Sequence, residues 1–144
     1  MSKAIDIANA MAARINAISG IPSNLAVVDR QKDIRVEVAN RVLKGTGSAI
    51  IILYEGFSNP APMASGLLNI TRRYSVTLYA RPILQDAEVV AADELIELVA
   101  RELHNWEPDE ASAGFGEIIV TGCDLRPDKS YFIYDLDIEV LSRL

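Results

Sequence analysis

Cysteine, histidine and aromatic side chains are all scarce in this chain. Of its 144 residues, one is cysteine (Cys123), one is histidine (His104) and 6% are aromatic. A single cysteine excludes an internal disulfide framework and any multi-cysteine zinc site. A Cys–His nucleophile pair would have to be Cys123 with His104, and nothing in the sequence brings them together. Cys123 is expected to be a small, partly buried residue near a strand end. His104 falls near a helix C-terminus, where a cationic ring is favourable, and reads as a capping or surface histidine.

Long hydrophobic runs are missing as well. Half of the residues are hydrophobic, yet the longest apolar run, Ala49 to Tyr54, has strand length. A membrane span needs roughly 18 to 20 such residues. At the N-terminus Asp6, Asn9 and Arg14 interrupt the apolar residues, unlike a secretory signal, so synthesis in the cytoplasm is expected. A basic excess is also lacking: the formal net charge is −6. Tight binding of free nucleic acid needs a concentrated basic surface and is not expected. The densest basic spot, Arg72-Arg73, is expected to be solvated at a strand entrance. DNA can still pass an acidic surface without sticking to it.

Catalytic signatures are absent too. Gly45-Thr46-Gly47 reads as a turn, without the Lys-Ser/Thr and spacing of a phosphate loop. There is no nucleophile elbow, no pair of metal-binding histidines and no dinucleotide fingerprint. Internal repeats, low-complexity segments and interdomain linkers are lacking, so residues 1–144 are expected to form one domain with a real core.

What is present is strand and helix periodicity. Residues 3 to 19 read as an amphipathic helix: Ile5, Ala8, Ala12 and Ile15 recur at helical spacing, with Met11 and Ile18 beside them. Ser2 can cap it, and Ser19-Gly20-Ile21-Pro22 ends it. Residues 23 to 30 read as a connection with an apolar patch, Leu25 to Val28. Residues 31–44 fit strand alternation or helical spacing, and helix is favoured because Asp29 can cap it and Gly45 can stop it. Ala49 to Tyr54, apolar on both faces, is expected to be a central strand.

Glu55 to Thr71 reads as a long connection. Its prolines and glycines are expected to block pairing in the middle, and Asn59, Pro60, Pro62 and Met63 are its candidate partner-contact residues. Arg73 to Arg81 is a strand with Tyr74, Val76, Leu78 and Ala80 on one face and Ser75, Thr77 and Tyr79 on the other. Pro82 ends it. A helical run from Asp86 to Trp106 follows, with Ala92, Leu95, Ile96, Val99, Leu103 and Trp106 along one side and Asp93, Glu94, Glu97 and Arg101 mainly opposite. Trp106 reads as a core anchor. Phe115 to Cys123 is a strand, Asp124 to Ser130 a turn, and Tyr131 to Val140 a closing strand.

This order predicts an α+β fold: a single mixed or antiparallel sheet of four to five strands, with two to three helices packed mainly on one face. The closing strand sets Phe132, Tyr134, Leu136, Ile138 and Val140 on one face. Tyr131, Ile133, Asp135, Asp137 and Glu139 take the other, expected to be solvated or covered by a partner. Asp135, Asp137 and Glu139 are the one chemical constellation. Such a row can bind a hard cation or divide acid and base roles. Carboxylates about 7 Å apart along a strand rarely converge on one ion without help from another element. The commoner uses are a solvated face or an assembly surface.

Taken together, several stretches resemble the tail-completion, or tail-terminator, proteins of long-tailed bacteriophages and prophages. They are Ala49-Ile50-Ile51-Ile52 with Tyr54-Glu55-Gly56, Asn59-Pro60 and Gly66, Arg73-Tyr74-Ser75-Val76-Thr77-Leu78, Leu103-His104-Asn105-Trp106-Glu107-Pro108, and Tyr131 to Val140. The resemblance covers roughly residues 31 to 142 and rests on order and spacing. It implies a structural virion assembly protein without catalytic residues or cofactors. Such subunits form a homo-oligomeric ring, typically of six copies, on the tail tube. The ring stops tube polymerisation, meets the head-completion connector and lets DNA pass through its lumen. It implies assembly in the host cytoplasm and residence in the virion tail, with no membrane partner. The alternative from the residues alone is a small metal-dependent enzyme using the acidic final strand, or a ligand-binding α+β domain with a pocket beside Trp106.

Overall fold

Apolar residues three and four positions apart build the first helix. In the computed structural model, which describes residues 3–20, 25–29, 48–62, 68–80, 92–108, 117–127 and 132–143, helix α1 spans Lys3–Asn16. Its buried stripe is Ala4, Ile7, Ala8, Met11, Ala12 and Ile15. Ile5, expected on that stripe, is only half-buried because the stripe is centred on Ile7 and Met11. Ile7, Met11 and Ile15 have no exposed surface, and each such burial is worth about 1.5–3 kcal/mol.

The remaining elements are β1 (Ala26–Asp29), β2 (Ser48–Pro62), β3 (Leu68–Ala80), α2 (Ala92–Leu103), β4 (Ile118–Pro127) and β5 (Phe132–Arg143). The five strands form one mixed sheet in the order β1-β2-β3-β5-β4. β1 runs parallel to β2, and every other pairing is antiparallel. β3 and β4 therefore run parallel with β5 between them, and α2 carries the chain across. This is the expected α+β class.

Both described helices share one core with the sheet. Leu95, Ile96, Val99 and Leu103 of α2 and the α1 stripe pack with Ile50, Ile52, Tyr74, Val76, Leu78, Leu136, Ile138 and Val140. Three polar clamps fix the packing. The Asn16 amide donates to the Ala26 carbonyl at 3.0 Å, while its oxygen accepts from the Ala26 N–H at 2.8 Å. The buried Tyr74 hydroxyl donates to the Ala4 carbonyl at 2.8 Å. Arg14 Nε donates to the Glu102 carbonyl at 2.8 Å, one of the acceptors that the last turn of α2 leaves open. The Arg14 guanidinium also lies 4.6 Å over the Trp106 ring.

Several boundaries differ from the sequence reading. The patch expected as a connection at 23–30 contains β1, because Ala26 to Asp29 find a parallel partner in Ile50 to Leu53. Glu55 to Thr71 is mostly strand, since the β2–β3 ladder continues to Pro62 opposite Leu68. The prolines are accommodated because the register shifts between Ser58 and Ala61 and between Tyr54 and Gly56, and because β1 covers only Ile50 to Leu53 of the other edge. Bulges and edges are where proline costs no ladder bond. Gly56 supports the shift after Tyr54 with φ 106°, a conformation open to glycine. Asp124 to Pro127, expected as a turn, extends β4 opposite Phe132 to Asp135. The readings of residues 31–44 and of Gly45-Thr46-Gly47, and the proposed cap at Asp86, lie outside the described residues.

Candidate functional site: the second face of the sheet

Residues opposite one another in a ladder share a face, so the register sorts the side of the sheet away from the helices. Its β1–β2 half carries Val27, Ala49, Ile51 and Leu53, joined by Tyr79 of β3. Ala49 and Ile51 are buried, as is Ile133 of β5. The expectation of a polar second face fails for this half. The central strand contributes Thr71, Arg73, Ser75 and Thr77. The β4–β5 half carries Asp124, Asp135, Asp137 and Glu139.

The three predicted carboxylates thus share one face, and the structure adds a fourth. Asp124 stands directly opposite Asp135 across the β4–β5 ladder. Like charges so placed repel. Asp135 is held by other groups: Thr77 Oγ1 donates to its Oδ1 at 2.8 Å, and Arg126 Nε to its Oδ2 at 2.7 Å. Glu139 lies opposite Arg73 in the β3–β5 register, and both are exposed. Asp137 is pushed above the ordinary carboxylate value, first by partial desolvation and then by the charges of Asp124 and Asp135. Sequence reading missed Asp124, Thr77 and Arg126. The alternation of Asp124 and Arg126 around Leu125 was the available signal, masked by treating the segment as a turn.

The row is a surface, not a cage. Among the described residues, no group of three or more His, Cys, Asp or Glu side chains is arranged to hold a metal ion.

The remaining predicted positions are scattered. Asn59, Pro60 and Pro62 belong to β2 and not to a free arm, and Met63 lies outside the described residues. Cys123 is exposed, not partly buried, because β4 is the outermost strand. Its thiol is pushed up by partial desolvation and then by Asp124, Asp135 and Asp137, which lowers its thiolate fraction. His104 is a surface residue whose Nδ1 accepts from the Val120 N–H at 3.0 Å. Trp106 is half-buried against the core, as expected of an anchor, with Arg14 over its ring. Arg73 is exposed as expected, but Arg72 is 7% exposed and donates to the Tyr54 hydroxyl at 3.1 Å. It points to the helix side, with its guanidinium 5.9 Å over the Tyr54 ring.

The chain matches no protein-family model and no curated protein.

Proposed function

We propose that this chain is a structural assembly subunit of the phage tail-terminator type, which closes into a ring on a tail tube and leaves a passage for DNA. The observation that carries the reading is the lengthwise division of the sheet's second face. One half is apolar and partly buried. The other presents Asp124, Asp135, Asp137 and Glu139 with exposed neighbours. A carboxylate wall repels the phosphate backbone and suits a channel that must not retain its cargo. A ring also needs two different contact surfaces on each subunit. The outer edges of β4 and of β2 beyond Leu53 lie on opposite sides of the sheet, with Leu125 exposed on one and Phe57 on the other.

The double variant Asp137→Lys, Glu139→Lys tests the carboxylate wall. Wild-type protein is expected to leave double-stranded DNA unshifted in a gel at low salt. The variant is expected to retain it and to slow DNA passage through assembled tails. If ring formation and DNA passage are unchanged in the variant, the row is ordinary surface.

A further inference from the structure

We propose that the outer edge of β4 pairs with the same edge of a second copy of this chain, antiparallel and about a two-fold axis at Leu125. This inference does not rest on the ring reading, which needs unlike surfaces. Cys123, Asp124, Leu125 and Arg126 are four consecutive exposed residues. A strand covered on either side would hide at least every second one. Leu125 is 52% exposed and Phe132, on the same face of the neighbouring strand, is 37% exposed. An open edge with apolar side chains beside it is a template for another strand.

The register follows from charge and strand geometry. Opposed residues in an antiparallel ladder share a face, so the axis passes through a residue and not between two. About Leu125, Asp124 of each copy faces Arg126 of the other. The two Leu125 side chains then meet on the helix side. Centring on Asp124 or on Arg126 sets like charges together. Centring on Cys123 puts Asp124 opposite Gly122, so Asp124 faces no opposite charge of the second copy. The backbone agrees: the bulge between Val120 and Gly122 bounds the regular stretch at one end and Pro127 bounds it at the other. Leu125 lies inside that stretch, with Asp124 and Arg126 on either side of it. Arg126 already donates through Nε to Asp135. A guanidinium has five N–H donors in a planar fork, so it can bridge its own Asp135 and Asp124 of the second copy.

Cysteine cross-linking reads the register directly. In a Cys123→Ser background, Leu125→Cys sets two thiols on directly opposed residues. Their Cα atoms lie about 4.5–5.5 Å apart, within disulfide reach. Oxidised glutathione is expected to convert this variant to a covalent dimer on a non-reducing gel. Ile119→Cys in the same background, on the same strand but beyond the bulge, is expected to stay monomeric. Equal cross-linking of the two variants, or none of either, overturns the proposal. Asp124→Arg is the second arm: it turns both attractive pairs repulsive and is expected to raise the dimer Kd roughly tenfold in sedimentation equilibrium. A dimer indifferent to Asp124→Arg overturns the register, and dimerisation only with some other protein's strand overturns the choice of occupant. Loss of ring assembly in the lysine variant of the carboxylate wall, with the Leu125 cross-link intact, would mark failure of the ring surface alone.

Discussion

Asn16 holds two parts of the chain with one side chain. Its amide pairs with both backbone groups of Ala26, as a neighbouring strand would. Asn16→Ala removes both bonds and leaves a part-buried N–H and carbonyl to find water. A loss of about 1–3 kcal/mol in urea unfolding is expected, with faster amide exchange in β1. Asp137 acts in the opposite sense. Its folded-state value is raised, so the charged form is disfavoured by folding. The group therefore subtracts stability at neutral pH. That penalty shrinks as pH falls through the raised value and is gone below the unfolded carboxylate value of about 3.9. Asp137→Asn is expected to raise Tm slightly at pH 7, with the gain vanishing below that point. An equal or lower Tm at pH 7 contradicts the assignment.

At the scale of elements, what the sequence disclosed depended on whether periodicity or pairing decided the outcome. The α2 face was legible because Leu95, Ile96, Val99 and Leu103 repeat at helical spacing, and all four are buried. The faces of β3 and β5 were legible from alternation, which is why Asp135, Asp137 and Glu139 could be placed together. β1 was not legible, since four residues become a strand only when β2 offers a parallel partner. The outer half of β2 was hidden by Asn59-Pro60-Ala61-Pro62, because proline argues against a strand unless a bulge and an open edge absorb it. The end of α2 was read as Trp106, but the helix stops at Leu103 and Asn105 adopts φ 64°. Its N–H then donates to the Ile118 carbonyl at 2.7 Å, so the cap also starts β4. Asn105→Val is expected to cost about 1–2 kcal/mol, and Asn105→Gly to be nearly neutral, both by thermal or urea unfolding.

For the molecule as a whole, the sheet has one face closed by helices and a second face divided between buried apolar residues and exposed carboxylates. Its two outer edges differ in shape and chemistry. That asymmetry allows unlike contacts to close a ring, while the charge pattern around Leu125 allows a like contact to close a pair. Both proposed uses act through association. The central claim is therefore self-assembly, and the most direct test is the solution mass by light scattering across a concentration series. The account predicts a discrete closed assembly: six copies where the β4 edge meets the β2 edge of a neighbour, or two where it meets the same edge of a second copy. A mass that stops at two copies retains the edge pairing and removes the ring. A mass of one 15.7 kDa chain at every concentration contradicts the account.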